Sequence, residues 1–454
     1  MSIAPVCPYW GPIVPSTVEF NNLDHSNVRK YQGMEDKTYS FYQRKKGCGY
    51  YDQYEAYIDS EAIIFNSHKY HLEFTMGRKP YTDIEIIDEC DEFLDSFSNQ
   101  EDINLNRLNL ALGGLFAEEV EHREAVEDLM DLSNELLKDQ EIKNNIYDDE
   151  IIPLKETKLF SLLIKFLDSQ IMENVQCDDE NYCYHVEKVA KTFKQSFDET
   201  YVSFSKDEKS IFVKLVTTDL EKRFKELLDN NKILVLMSGT LHSENILREV
   251  FGITNFKIID AETKMPGKIT PHKTGLEFDC KFSNFKSGIF SRRDYLTSLS
   301  KCVEEAKAPV LVQVNAFGDL PTESEAEEYG LDIMTKEKLL ELQRQDKTGE
   351  AVKRFKSGDI SVLYTTKCNR GIDFPGEICN SIVLTKYPFP NVRSLFWRIL
   401  KKTRPQHYNS FYVDKARREY LQKIYRGLRH NEDHIFLLSP DIRVFNNLSS
   451  LNVN

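Results

Sequence analysis

Two adjacent carboxylates, Asp88 and Glu89, follow the short apolar run Ile84–Ile87 in the stretch IEIIDECDEFLD. In a nucleotide hydrolase an acidic pair at the mouth of a strand would hold a magnesium ion and a water against a phosphate, which attack on a phosphoryl group requires. Three further constellations carry chemistry. Ser238-Gly239-Thr240 follows the apolar run KILVLM and sets two hydroxyls around a glycine, which by itself is only a strand-to-helix turn. The loop from Lys367 to Gly376, KCNRGIDFPG, holds Arg370, two glycines (Gly371 and Gly376) and the acid Asp373. Near the C-terminus, Gln422, Arg426 and Arg429 stand at intervals of four and three before an apolar run, which predicts one helical face for all three.

Elements of three textures must position these groups. Up to residue 80 the chain is rich in aromatics and turn residues, with Pro5, Pro8, Pro12 and Pro15 at its start, and long helices are not expected before Asp52. From about residue 100 to 230, apolar residues recur at three and four, as in FSLLIKFLDSQIMENV, and an all-helical insertion is expected. From Lys232 onward, short apolar runs such as KILVLMS, APVLVQV, ISVLYTT and SIVLTKY alternate with helical patterns, the grammar of a parallel sheet with crossover helices. Functional residues in such sheets lie in the loops at the carboxyl ends of the strands, where the polar constellations fall.

Composition narrows the class. A chain of 454 residues is too long for one ordinary core and should form about three domains. Hydrophobic content of 41% and charged content of 29% are ordinary, no apolar run approaches the length of a membrane helix, and the N-terminus lacks a secretory pattern. A cytoplasmic location and no membrane partner are expected. Nine scattered cysteines do not read as a disulfide framework. The net charge of −14 is uneven. Residues 81–150 carry about −18 and residues 331–454 about +9, so a phosphate-binding surface, if the chain has one, is expected toward the C-terminus.

The four constellations in this order resemble motifs II, III, V and VI of superfamily 2 helicases, and specifically the iron-sulfur DNA helicases of the XPD and DinG family, in an archaeal-type form. Asp88-Glu89-Cys90-Asp91 is similar to a DEAH box with its last two positions altered, and Tyr425 stands where many members carry glycine. The resemblance covers nearly the whole chain. It implies an α/β fold with two RecA-like parallel-sheet motor domains, the first incomplete, a helical arch insertion and a partial iron-sulfur region. The implied boundaries are 1–60 for the iron-sulfur region, 61–100 with 215–260 for the first motor domain, 101–214 for the arch and 268–454 for the second motor domain.

The same resemblance implies ATP hydrolysis coupled to movement on single-stranded or forked DNA. Asp88 would hold magnesium and Glu89 would deprotonate the attacking water. Arg426 and Arg429 would neutralise charge on the transferring phosphoryl group, with Gln422 at the same end of the nucleotide. Ser238, Gly239, Thr240, Arg370, Gly371 and Asp373 would link nucleotide state to the DNA. In KYPFPNVRSLFWRILKKTRP, residues 386–405, cations interleave with Tyr387, Phe389, Phe396 and Trp397, a mixture that suits phosphates and stacked bases and equally a protein core.

Two expected parts are missing from the 454 residues. No segment supplies the phosphate loop G-x-x-x-x-G-K-[ST]; GMEDKT at Gly33–Thr38 lacks the glycine before its lysine, and Gly267-Lys268-Ile269-Thr270 has the wrong order. A [4Fe-4S] cluster needs four thiolates, whereas only Cys7 and Cys48 precede Asp88, where they resemble the third and fourth ligands of the family. Cys177 and Cys183, in the acidic insertion, read as simply buried or as exposed free thiols. The resemblance thus implies an N-terminally truncated helicase, inactive alone; the alternative is a non-catalytic nucleic-acid-binding or regulatory protein on a decayed helicase fold.

Overall fold

The computed structural model describes residues 6–18, 23, 25–98, 100–117, 119–148, 150–169, 171–174, 181–259, 267–366 and 371–448. They form two compact units, Met1–Thr254 with Asn391–Tyr408, and Asn255–Pro390 with Asn409–Asn454.

The first unit opens with an antiparallel sheet of β1 (Ile13–Pro15), β2 (Asn27–Gln32) and β3 (Thr38–Gln43), in the order β1-β3-β2. Aromatic strand residues are suited to a half-buried pleat, and Tyr31, Tyr39 and Phe41 pack there with Tyr54 and Tyr57. The GMEDKT segment is the β2–β3 connection, in which Lys37 pairs with Glu35 at 2.8 Å. No helix before Asp52 exceeds four residues among those described.

Next comes β4 (Ile84–Ile87), which pairs in parallel with a strand from far along the chain. Its inner residue Glu85 is buried against the buried ammonium of Lys79 and the Thr82 hydroxyl, the latter at 2.9 Å. The insertion that follows is not all helical. The helices Leu105–Leu112, Val120–Lys138, Lys158–Ser169 and Tyr182–Phe193 do share one core, through Leu108, Leu129, Leu162, Phe166, Val186 and Phe193. Against that core lies a four-stranded antiparallel sheet of β5 (Glu101–Asn104), β6 (Ile152–Pro153), β7 (Thr200–Lys206) and β8 (Ile211–Thr217), in the order β5-β8-β7-β6. TYVSFSK and IFVKLVT alternate with period two, and Val202, Phe204, Val213 and Leu215 are the buried set.

The last strand of this unit, β9 (Ile233–Leu236), pairs with β4 in register, Ile84 beside Ile233 and Ile86 beside Val235. These two strands form a sheet of their own. One of its faces is open, with Ile84 56%, Ile86 63%, Ile233 51% and Val235 38% exposed. Parallel sheets normally bury both faces. The first parallel sheet is therefore only two strands wide among the described residues.

The second unit carries the fuller version: β10 (Lys268–Pro271), β11 (Val310–Gln313), β12 (Val362–Thr365), β13 (Ser381–Leu384) and β14 (His434–Leu438), all parallel, in the order β10-β14-β13-β11-β12. Near-continuous apolar strands such as VLVQ and SIVL allow both faces to be covered. Leu311, Ile382, Leu384 and Ile435 pack with Phe355, Phe374 and Tyr420 in one core. Val310, Val312, Val383 and Leu438 pack with Tyr295, Leu299 and Cys302 in the other. The helix Arg292–Glu305 starts at a capping box in which Ser291 and Asp294 satisfy each other's backbone N–H groups.

Candidate functional site

In the first unit the acidic pair sits at the carboxyl end of β4, with both side chains exposed. Glu89 adopts the left-handed conformation (φ 49°, ψ 44°), which a non-glycine residue takes at a cost, and Asp88 accepts its backbone N–H through Oδ1 at 2.9 Å. The chain then enters the helix Cys90–Ser96, and the Cys90 N–H donates to the Met237 carbonyl at 2.9 Å, joining the ends of β4 and β9.

In the first turn of that helix, the fully buried Asp91 holds the Ser-Gly-Thr turn. Ser238 Oγ donates to Asp91 Oδ1 at 2.7 Å and Thr240 Oγ1 to Asp91 Oδ2 at 3.0 Å, while the Thr240 N–H donates to Ser238 Oγ at 3.0 Å. A turn further on, Asp95 meets the buried ring of His242, with Nε2 3.1 Å from Oδ1. Two acids four apart on a helix thus face three polar residues two apart on a loop, a match of periods that brings both strand ends into one rigid corner. The roles of Asp91, Asp95 and His242 are absent from the sequence reading; the i, i+4 spacing of the two acids was the available signal. An ideal Cβ on Gly239 would meet nothing within 4 Å, so that glycine leaves open space over the turn.

In the second unit the carboxylate of Asp373 gathers both arginines. Arg426 Nη1 donates to Asp373 Oδ1 at 2.8 Å and to the Ile372 carbonyl at 3.3 Å, and Arg429 donates to the same carboxylate oxygen. Arg426 is buried, whereas the Arg429 side chain is 41% exposed. Backbone locks the loop to the turn, because the Phe374 N–H donates to the Arg426 carbonyl at 2.7 Å. Below, Asp433 accepts the N–H groups of Arg429, His430 and Gly376. Burial raises the Asp433 pKa, but these three donors outweigh it and hold the carboxyl below the usual range. Gly371 has a positive φ of 72° that suits glycine, and Arg370 lies outside the described residues.

The expectation of a shared helical face for Gln422, Arg426 and Arg429 is corrected here. The helix Pro405–Tyr425 contains only Gln422, which is buried, and both arginines follow its end. Gly427 explains the break. Its ideal Cβ would lie 2.9 Å from Ile435 Cγ2 and 3.3 Å from Ile382 Cδ1, so the backbone can press on the sheet only there without a side chain. Asp373, not helical periodicity, brings the arginines together. Gly267, in the other rejected loop motif, is likewise structural, with φ 79° and an ideal Cβ 2.4 Å from the Asp433 carbonyl.

The aromatic residues of 386–405 are also corrected as a base-stacking set. Tyr387, Phe396 and Trp397 are buried, and Phe389 stacks on Tyr412 with ring centroids 5.3 Å apart. The interleaving is the two-sided pattern of the helix Leu395–Thr403, whose inner face holds Leu395, Phe396, Ile399 and Leu400. Arg404, just beyond, pairs with Glu199 at 2.8 Å.

Metal ligation by thiols has no support in this donor set. Among the described residues no three His, Cys, Asp or Glu side chains are gathered as metal ligands. Cys7 and Cys48 are partly exposed, while Cys90, Cys183, Cys280, Cys302 and Cys379 are buried. Burial pushes the thiols of Cys183, Cys302 and Cys379 up to about 12, the opposite of what a thiolate ligand needs. Cys177 lies outside the described residues. A four-iron cluster therefore does not fit the residues present.

Residues 303–451, which contain four strands of the five-stranded parallel sheet and both arginines, match the helicase C-terminal domain family. The chain's similarity to known helicases extends beyond that segment. It is 21% identical over 340 residues to the ATP-dependent DNA helicase chl1 of Aspergillus fumigatus, a match covering 64% of this chain and 44% of that protein. Among solved structures, one named XPD_Helicase is 15% identical with a TM-score of 0.47, covering 85% of this chain and 71% of the other. That of S. tokodaii Xpd4 is 18% identical with a TM-score of 0.49, covering 81% and 73%. No helix of the described residues is long and apolar enough to cross a membrane.

Proposed function

We propose that this chain is the motor part of an ATP-dependent DNA translocase of the helicase type, working on single-stranded or forked DNA. Asp88 would hold a magnesium ion, which neutralises phosphate charge, and Glu89 would orient and deprotonate water. Arg426 and Arg429, released from Asp373, would neutralise charge on the phosphoryl group, with Gln422 toward the same end of the nucleotide. Asp373, with Arg370 and Gly371 in its loop, and Ser238, Gly239 and Thr240 would pass the nucleotide state on. The observation that carries this reading is the Asp91 bridge. A change at the Asp88–Glu89 end of β4 must move the Ser238–Thr240 turn with it, because one buried carboxylate holds both hydroxyls.

A second reading has an observation of its own. With no G-x-x-x-x-G-K-[ST] in the sequence and the apolar face of β4 and β9 open, the 454-residue chain alone would bind DNA without hydrolysing ATP. One experiment separates the two. ATP turnover is measured with and without single-stranded DNA for the wild-type chain and for Glu89→Gln. Background turnover in both, with DNA bound, supports the second reading for the chain alone. DNA-stimulated turnover that Glu89→Gln abolishes supports the first, and stimulated turnover that survives Glu89→Gln removes Glu89 from the role of base. Anaerobic purification with iron analysis completes the test, and about four irons per chain would contradict the rejection of a cluster.

A further inference from the structure

Most of the acidic run of residues 81–150 is used by none of the constellations above, and part of it lines a groove on the insertion. The helices Val120–Lys138 and Lys158–Ser169 share one core, through Ala125, Leu129 and Leu136 of the first and Leu159, Leu162 and Phe166 of the second. Outside that core they leave a groove of about 480 Å³. Its floor is apolar. Leu132, Phe160 and Ile164 are only partly buried there, and Phe160 is held edge-on against Phe197 with ring centroids 5.6 Å apart.

The walls of the groove are acidic. Asp128, Asp131 and Glu135 stand on the first helix and Asp168 on the second, and all four are exposed. The cations beside them are too few to neutralise them. Lys165 pairs with Asp128 and Lys158 with Glu135 at 3.1 Å, which leaves Asp131 and Asp168 without a cationic partner among the described residues. Glu121 and Glu124 continue the row of the first helix at intervals of three and four, and like charges so spaced repel one another. A merely solvated face gains nothing from that repulsion or from an apolar floor beside it.

We propose that this groove docks a basic amphipathic helix of a partner protein, whose apolar side chains lie on Leu132, Phe160 and Ile164 and whose lysines or arginines meet Asp131 and Asp168. A helix enters a groove through side chains at i, i+3, i+4 and i+7, an apolar row flanked by polar ones, which matches the floor and its two walls. The twelve residues of Lys158–Ser169 span about 18 Å, the length of about three turns of such a helix. Charge selects the occupant. The carboxylates repel the phosphates of a nucleic acid, and an acidic or neutral helix would leave Asp131 and Asp168 uncompensated. The proposal is independent of the translocase reading, in which no residue of the groove takes part.

The test uses the full 454-residue chain and fluorescence anisotropy of two labelled peptides of about 15 residues, long enough to form a helix on contact. Both carry the same amphipathic pattern, one in leucine and lysine, the other in leucine and glutamate. The leucine–lysine peptide should bind the wild-type chain, more weakly as salt is raised, and the leucine–glutamate peptide should not. Asp131→Lys together with Asp168→Lys should weaken the first peptide about 10-fold or more and let the second bind. Both positions are exposed, so circular dichroism should not change. Ile164→Ala, which cuts back the floor, should weaken the first peptide about 5-fold with its salt dependence unchanged. Equal affinity of the lysine peptide for the wild-type and doubly reversed chains overturns the site, as does no binding at all. Spermine binding as tightly as the peptide would mean that the carboxylates attract any polycation, and this also overturns the proposal. Self-association of the wild-type chain by light scattering, lost in the doubly reversed chain, makes the occupant a second copy and overturns it as well.

Discussion

Replacing Asp91 tests whether the two strand ends form one mechanical piece. The carboxylate is fully buried and accepts two side-chain hydrogen bonds, from Ser238 at 2.7 Å and Thr240 at 3.0 Å. Hydrogen bonds to a charged acceptor contribute about 1.5–3 kcal/mol each, part of which offsets the cost of burying the charge. Asp91→Ala also strands two hydroxyls, so a net local loss of about 3 kcal/mol is expected. Asp91→Asn keeps one acceptor oxygen and should lose about half of that. A chain of several domains has no single unfolding free energy, so the readout must be local. Hydrogen exchange followed by mass spectrometry on peptides covering residues 84–97 and 233–243 supplies it. Exchange should speed up about a hundredfold in both peptides of Asp91→Ala, and by an intermediate factor in Asp91→Asn. If the β4 peptide loosens while the Ser238–Thr240 peptide keeps its protection, the two ends are not coupled through Asp91 and the reasoning fails.

Three further perturbations probe other parts of the argument. Asp433→Asn should cost about 2 kcal/mol at neutral pH, because three backbone donors lose a charged acceptor. The folded carboxyl lies below the usual range, so this stabilisation is fully present above about pH 4 and disappears as pH falls through the folded value. Melting curves of the two proteins should therefore converge on acidification, and a gap that widens instead would reverse the sign. Gly427→Ala should destabilise the second unit by about 1–3 kcal/mol in urea melts despite alanine's better helix propensity, since its Cβ would sit 2.9 Å from Ile435. A stabilised variant would mean that the turn relaxes freely. Ile86→Lys should change stability by less than about 0.5 kcal/mol and lower the binding of an apolar dye, because Ile86 is 63% exposed. A large loss of stability would show that something covers this face.

The parallel sheet of the second unit was legible because a strand buried on both faces must be apolar at successive positions, as VLVQ and SIVL are. The insertion misled for a local reason. The hairpin of β7 and β8 turns at KDEKS, without Asn-Gly or any glycine, and the Asp207 side chain does the work by accepting the N–H groups of Lys209 and Ser210 at 2.8 and 2.6 Å. With the turn signal missing, seven-residue strands between long helices read as more helix.

The sites divide along the same physical line. Asp88, Glu89, Ser238 and Thr240 were legible as types at strand ends, where backbone geometry exposes polar groups. What connects them was not, because the Asp91 contacts join residues 147 and 149 positions apart and depend on tertiary folding. The arginines show the converse. Spacings of four and three carry information only while the helix lasts, and here it ends at Tyr425, before either arginine. Gly427 decides the outcome. Continuing the helix through a glycine forgoes about 1 kcal/mol relative to alanine, and the sheet surface beneath leaves no room for a Cβ. The chain turns there, and the Asp373 carboxylate becomes the point at which the two guanidinium groups meet. Any anion that is to use these arginines must first compete with Asp373 for them.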